Sequence, residues 1–161
     1  MIMTEETAAA YRSGLRYLGP RPRSVAELKE NLLKKHFNSD VVEETVERLK
    51  EENLLDDTSF ALEFVRSREK RNPKSKRALK YELYQKGVEK AVIEKAVESV
   101  NEYDSALKAV QKKSALWAHL DREEFKKKVF NFLQARGFSF DVTMNTYKHI
   151  LKKTGKKENP E

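Results

Sequence analysis

Cysteine is absent from the 161-residue chain, and glycine and proline are scarce, with five and four copies. Without cysteine there is no disulfide framework, no iron–sulfur ligand set and no thiol nucleophile. Few glycines and prolines favour long helices. No apolar run approaches the roughly 20 residues that a membrane span needs, and the first ten residues lack the basic start of a signal peptide. We therefore expect a helical cytoplasmic protein with no membrane association.

Charged side chains are abundant and unevenly spread. They form 37% of the chain, against about 25% in typical domains, and the net charge is +7. Residues 1–53 carry 9 basic and 10 acidic side chains, residues 54–101 carry 11 and 8, and residues 102–161 carry 13 and 8. This excess suggests an acidic or polyanionic partner for the middle and C-terminal parts. A lysine-rich solvated surface is the alternative, and charge alone does not separate the two.

One short pattern recurs three times and sets the fold. Gly87 can close a helix in the left-handed conformation, and Leu83 and Val88 would then make the apolar contact of a Schellman motif. The pattern returns at spacings of 50 and 51 residues, with His36 where the other copies have glycine. The predicted helix stops are Leu32, His36 and Phe37, then Leu83, Gly87 and Val88, then Leu133, Gly137 and Phe138. Such a repeat indicates stacked units that bury their apolar faces together.

Apolar residues at helical spacing predict three helices in each unit, and no segment has the alternation of a strand. The predicted N-caps are Thr4, Ser24, Ser39, the pair Asp56 and Asp57, Ser75, Asp121 and Ser139. Glu27 would complete a capping box with Ser24. The buried stripe of the first helix is predicted as Tyr11, Leu15 and Leu18. That of the seventh is predicted as Tyr103, Ala106, Leu107, Val110 and Trp117.

The predicted fold class is all-α, with three tandem three-helix repeats. The predicted boundaries are 1–53, 54–101 and 102–153, followed by a disordered tail at 154–161.

No constellation for catalysis is present. His36 falls in the first unit, and His119 and His149 fall in the third without ligand spacing, so no metal site is expected. The acids lie at caps or on helix surfaces, and no glycine-rich phosphate loop exists. We expect no enzyme activity and no cofactor.

A stretch rich in Lys and Arg spans residues 66–80, and Glu69 is the only acidic side chain within it. Its members are Arg66, Arg68, Lys70, Arg71, Lys74, Lys76, Arg77 and Lys80. Cations near a helix C-terminus favour the helix dipole, but Lys74, Lys76 and Arg77 precede or begin the next helix. Those three are the better candidates for binding phosphates or carboxylates. A second cluster, for which a solvated face is an equal alternative, comprises Lys112, Lys113, Arg122, Lys126 and Lys127.

Several short motifs together resemble one known family. They are Arg23-Ser24 with Glu27-Leu28 and Leu32; Leu55-Asp56-Asp57, Phe60-Ala61, Arg68, and Glu82-Leu83 with Lys86-Gly87-Val88; and Phe132-Leu133 with Arg136-Gly137-Phe138. In this order and spacing, over almost the whole chain, they resemble the RecX family of bacterial recombination regulators. Two departures are His36 and Asn72, each at a place where glycine is usual, and Asn tolerates the left-handed region.

The resemblance implies three tandem three-helix repeats in an elongated, curved, right-handed or solenoid-like array. It further implies no enzymatic activity, and binding along the groove of the RecA recombinase filament. It also implies lower strand exchange, ATP hydrolysis and co-protease action, hence a role in DNA repair, recombination and the SOS response. Some members of the family also touch DNA, and a monomer is expected. The alternatives are a stand-alone nucleic-acid-binding module and a helical-repeat adaptor for another acidic partner.

Overall fold

The computed structural model describes residues 4–154, and in that range every regular element is a helix and no strand occurs. The all-α prediction is confirmed. Of the predicted tail, Thr154 is the last residue of α9, and the rest lies outside the described residues. The helices are α1 Glu5–Leu18, α2 Val25–Lys34, α3 Ser39–Glu51, α4 Asp57–Arg71, α5 Lys76–Gln85, α6 Lys90–Val97, α7 Glu102–Ser114, α8 Arg122–Ala135 and α9 Phe140–Thr154, with a 3-10 turn at Ala115–Trp117.

Contacts divide the chain into two compact units. The first comprises residues 1–64 and 82–96, and the second comprises residues 65–81 and 97–161. The division therefore falls inside α4 and α5 and before the last residue of α6, so the middle three helices are shared between the units. The predicted repeat boundaries stay a prediction.

Side-chain caps begin most of the helices where the sequence predicts them. Ser24, Ser75, Asp121 and Ser139 each accept a backbone N–H from the residue three positions later. The third helix differs, because Asn38 rather than Ser39 is its cap and accepts the N–H of Asp40 at 3.0 Å. An Asn side chain reaches the N–H two residues on, so the helix begins one residue early.

The first unit packs around leucine and valine side chains of α2 and α3. The predicted stripe of α1 is wrong at Leu15, which is 38% exposed, whereas Ala10, Ser13 and Gly14 are buried. A Cβ on Gly14 would lie 3.2 Å from Leu49 Cδ1. Small residues thus let α1 approach α3 closely, which apolar spacing alone does not reveal. The buried core comprises Leu28, Leu32, Val42, Val46, Leu49 and Leu55.

The second unit has an aromatic core between α7, α8 and α9. Phe125 lies at its centre and is fully buried, with the Tyr147 ring 6.4 Å away between centroids. The sequence pattern places Tyr103 on the buried stripe of α7, and this prediction is wrong. Tyr103 lies in the first turn of α7 and is 51% exposed. The core comprises Ala106, Ala109, Val110, Phe125, Val129, Leu133, Phe138, Val142, Tyr147, Ile150 and Leu151.

The three helix stops share one backbone geometry. His36, Gly87 and Gly137 have φ of 68°, 78° and 87°. After each of them the next N–H donates to the carbonyl five residues back, as in Schellman motifs. These bonds run from Phe37 to Leu32 at 3.3 Å, from Val88 to Leu83 at 3.2 Å, and from Phe138 to Leu133 at 3.1 Å.

A fourth stop was not predicted. Asn53 has φ of 59°, and the N–H of Leu54 donates to the carbonyl of Leu49 at 2.9 Å. By contrast, Asn72 is not among the described residues with positive φ. The helix before it ends because Pro73 follows, so its turn has no need of glycine.

Candidate partner-binding surface

Consecutive repeats meet at a joint, and the first joint lies within the first unit. The Ser24 hydroxyl donates to the carbonyl of Lys86 at 2.6 Å, and the Val25 N–H donates to the Asp57 carboxylate at 2.9 Å. Burial raises the pKa of Asp57 although this N–H favours the charged form. A Cβ on Gly87 would lie only 2.4 Å from the Cβ of Ala26. The start of α2 therefore rests directly on the second helix stop.

Glu27 adds an ion pair to this joint. Its carboxylate lies 2.9 Å from Lys86 Nζ and 3.2 Å from Arg21 Nη1, and its side chain is 12% exposed. Burial alone would raise the pKa of Glu27, but the hydrogen bonds from Lys86 and Arg21 outweigh it and lower the pKa. The predicted capping box is therefore only half formed, because this carboxylate binds cations rather than turning back to the Ser24 N–H.

The second joint lies within the second unit and uses equivalent residues, although the backbone N–H of the serine, rather than its hydroxyl, binds the carbonyl. The Ser75 N–H donates to the carbonyl of Arg136 at 3.1 Å, and the Lys76 N–H donates to Glu102 Oε1 at 2.9 Å. A Cβ on Gly137 would lie 2.4 Å from Ser75 Oγ and 3.1 Å from the Cβ of Ala78. The start of α5 thus rests on the third helix stop.

The predicted basic stretch lies around the α4–α5 turn, within the second unit. Its exposed members are Arg66, Lys70, Arg71 and Arg77, and its half-buried members are Arg68, Lys74, Lys76 and Lys80. Glu69, the opposing acid, accepts the hydroxyl of buried Ser105 at 2.8 and 2.9 Å. Because Glu69 is held against α7, it offsets the exposed cations less than its sequence position suggests.

The structure brings part of the second cluster to this turn. Lys112 Nζ donates to the carbonyl of Lys70 at 3.1 Å, at the C-terminal end of α4, where cations favour the dipole. Lys113 follows in the same last turn of α7. Arg122, Lys126 and Lys127 instead begin α8, where Lys126 Nζ lies 5.6 Å from the Phe130 ring centroid.

The sequence patterns did not indicate Arg136 as a candidate binding residue, and it appeared there only within a family motif. Its guanidinium lies 4.4 Å from the centroid of the Phe132 ring. Burial lowers the pKa of Arg136, and no carboxylate of residues 4–154 forms an ion pair with it. The signal in the sequence was its place immediately before Gly137, which is the place of Lys86 before Gly87.

Acidic side chains gather elsewhere, on a groove of about 790 Å³ within the first unit. On its wall the Arg48 guanidinium lies 3.8 Å from the centroid of the Tyr11 ring and donates to Glu52 at 2.9 Å. The Tyr11 hydroxyl donates to the same carboxylate. Its lining also includes Glu43, Glu44, Glu47 and Glu51. None of the predicted site residues lies there.

Three family models match consecutive parts of the chain. They are the first three-helix domain of RecX at residues 10–49, the second at residues 56–97 and the third at residues 101–145. Among residues 4–154, no helix is both long and apolar enough to cross a membrane.

Curated relatives and solved structures agree with these matches. Regulatory protein RecX of Prosthecochloris aestuarii is 38% identical over 149 residues, covering 91% of this chain and 96% of the relative. That of Chlorobium phaeobacteroides is 35% identical, covering 89% and 94%. The crystal structure of RecX from Lactobacillus salivarius matches with a TM-score of 0.77 at 20% identity, covering 92% and 98%. A second RecX crystal structure matches with a TM-score of 0.74 at 23% identity, covering 89% and 72%. The three domains in order, together with relatives matched over nearly their whole length, place this chain in the RecX family of regulatory proteins.

Proposed function

We propose that this protein binds the RecA nucleoprotein filament and lowers its strand exchange, ATP hydrolysis and co-protease action. It would thereby restrain DNA repair, recombination and the SOS response in the cytoplasm, as a monomer without enzyme activity or cofactor. The observation that carries this proposal is the presence of all three RecX domains, in order, along one chain. The repeat boundaries that we propose are 1–53, 54–101 and 102–153.

The physical mechanism is a shift of the filament's conformational equilibrium. A protein that contacts neighbouring subunits changes that equilibrium only by its differential affinity for the two filament states. The exposed cations around the α4–α5 turn support binding to an acidic surface, since opposite charges speed and orient encounter. Binding to the state with slower ATP turnover would lower hydrolysis without any chemistry by this chain.

A titration of RecA ATPase tests the proposal. RecA is assembled on single-stranded DNA with ATP, and this protein is added from substoichiometric to stoichiometric amounts. We expect a progressive fall in the rate of ATP hydrolysis that saturates. An unchanged rate at saturating protein, together with no co-sedimentation with the filament, would rule out the function for this chain.

Direct nucleic-acid binding is a second candidate, supported by the basic stretch at the α4–α5 turn. Phosphate contacts would make the affinity fall steeply with salt, even without RecA. Reversing Lys74, Lys76 and Arg77 to Glu should then abolish the binding of a DNA oligonucleotide. If affinity is unchanged, that stretch is not the DNA site. An adaptor for another acidic partner would differ from both candidates by binding neither RecA nor DNA.

A further inference from the structure

The two joints between repeats differ at one side chain. Lys86 and Arg136 each precede a stop glycine, and the carbonyl of each accepts a hydrogen bond from the cap serine of the preceding repeat. In the first joint Lys86 pairs with Glu27, which lies three residues after Ser24. The residue three positions after Ser75 is Ala78. The second joint therefore keeps the cation and has no acid at the position equivalent to Glu27.

The setting of Arg136 favours an anion. The guanidinium stacks on Phe132 at 4.4 Å and is half-buried, so it has lost part of its hydration. The lowered pKa of Arg136 has burial as its cause, with no carboxylate among residues 4–154 to offset it. A guanidinium carries five N–H donors in a fixed fork that matches a carboxylate. A partly desolvated cation of this kind gains more from a partner than a fully hydrated one does.

The surroundings of Arg136 are also basic. Its carbonyl binds the N–H of Ser75, and Lys74, Lys76 and Arg77 lie within two residues of that serine. Glu102, the acid at this joint, already accepts the N–H of Lys76 at 2.9 Å. Several cations around one point raise the local potential for an incoming negative group.

We propose that Arg136, which precedes the Gly137 that packs against Ala78, forms a carboxylate-binding site at the second joint, and that an Asp or Glu side chain of the partner protein occupies it. The partner's carboxylate takes the place that Glu27 takes in the first joint. A carboxylate is favoured over a phosphate because the equivalent cation, Lys86, is bound by one on the same scaffold. The identity of the partner rests on the proposed function, whereas the site itself does not.

Supplying the carboxylate from within the chain tests the equivalence of the joints. Ala78→Glu should pair with Arg136 and raise Tm by about 2 °C. The rise should disappear in the double variant Ala78→Glu with Arg136→Gln, and Ala91→Glu, at an exposed alanine of α6, should not show it. No rise, or a rise that survives Arg136→Gln, would overturn the equivalence and with it the proposal.

Binding measurements test the ligand. Poly-L-glutamate, a thymidine oligonucleotide and RecA filaments are each titrated onto the wild type, Ala78→Glu and Arg136→Gln. Both variants should bind poly-L-glutamate and RecA filaments about tenfold more weakly, because a charge-assisted forked contact is lost or already satisfied. Lys148→Gln, which removes an exposed cation of α9 outside both clusters, should bind both ligands as the wild type does.

The outcomes separate the site from the proposed function. If the wild type does not bind RecA filaments but the two variants still lose affinity for poly-L-glutamate, the proposed partner is wrong and the proposed carboxylate site is supported. If the variants lose affinity for the oligonucleotide alone, the site binds phosphate and the carboxylate proposal is overturned. Equal affinity of all variants for poly-L-glutamate would overturn it as well.

Discussion

At the scale of single residues, the surroundings of the three helix stops explain why two of them hold glycine and one holds histidine. All three have positive φ, which a side chain adopts at a cost of roughly 1–2 kcal/mol. At Gly87 the Cα also faces the preceding repeat so closely that a Cβ would clash with Ala26. His36 is exposed, so its side chain has room. At position 87 both the positive φ and the close contact with Ala26 require glycine, whereas at position 36 only the positive φ favours it.

Gly87→Ala should lower the free energy of unfolding by about 3 kcal/mol or more, because it combines an unfavourable φ with a contact of 2.4 Å. His36→Gly should raise that free energy by about 1 kcal/mol, since it removes the strain and adds no contact. Urea unfolding of both variants measures these changes. A loss of less than 1 kcal/mol in Gly87→Ala would mean that the first joint opens readily.

Glu27→Gln should remove a contribution to stability that depends on pH. Because the folded state lowers the pKa of Glu27, its ionised form stabilises the fold above the unfolded pKa, and this gain is lost as pH falls through the folded pKa. We expect the wild type to be more stable than the variant by about 1–2 kcal/mol at pH 7. The difference should shrink as pH falls below the ordinary glutamate pKa of about 4.3, and vanish only below the lowered pKa of folded Glu27.

Chemical denaturation at a series of pH values follows this difference. Glu44→Gln, at an exposed position of α3, is the matched control and should change stability little at any pH. A Glu27→Gln difference that is the same at pH 7 and pH 3.5 would show that packing, rather than the ion pairs with Lys86 and Arg21, is what the variant loses.

At the scale of helices, α1 docks through small residues rather than through the apolar stripe that its sequence suggests. Ala10 and Gly14 are buried, whereas Leu15 is 38% exposed. Gly14 allows the close approach to Leu49 and Leu28, whose Cδ1 atoms would lie 3.2 and 3.7 Å from a Cβ. The register of α1 is thus set by where its backbone can come closest to α3.

Gly14→Leu should destabilise the first unit by about 2–3 kcal/mol, since the added side chain has to displace well-packed leucines. Leu15→Ala should cost less than about 1 kcal/mol, because the leucine leaves water only in part. Thermal unfolding compares the two. A greater loss from Leu15→Ala than from Gly14→Leu would restore the stripe that the sequence predicted.

At the scale of the whole molecule, charge is segregated along the chain. The first unit carries a groove lined by glutamates, and the second carries the cations of the α4–α5 turn joined by Lys112. Electrostatic attraction acts over about 10 Å at 0.1 M salt. Exposed cations on the second unit should therefore control how fast an acidic partner is found.

Arg71→Glu with Arg77→Glu should weaken RecA-filament binding at least tenfold at 0.1 M salt and flatten its salt dependence. The matched control is Lys90→Glu with Lys95→Glu, which makes the same change of net charge at exposed positions of α6. Sedimentation with filaments over a range of salt measures both. An equal loss in the control pair would assign the effect to net charge rather than to the α4–α5 turn.

The sequence by itself determined the features that depend on residues close together in the chain. Helical spacing fixed the all-α class, and the apolar pairs Leu83 with Val88 and Leu133 with Phe138 located the helix stops. Caps such as Ser75 could be predicted because their hydrogen bond joins residues only three positions apart. The ordered motifs also identified the family, because their spacing recurs along almost the entire chain.

Tertiary structure alone decided which distant residues meet. The contact of Lys112 with Lys70, the hydrogen bond from Ser105 to Glu69, and the hydrogen bond from the Ser75 N–H to the Arg136 carbonyl each join residues of different helices or helix ends. Such pairings depend on how closely and at what rotation two helices pack. Gly14 sets that approach for α1, and Gly87 sets it where the second helix stop meets the start of α2. Spacing along one helix carries no information about the rotation of its neighbour. The sequence could therefore identify the basic residues but not predict which of them lie close together.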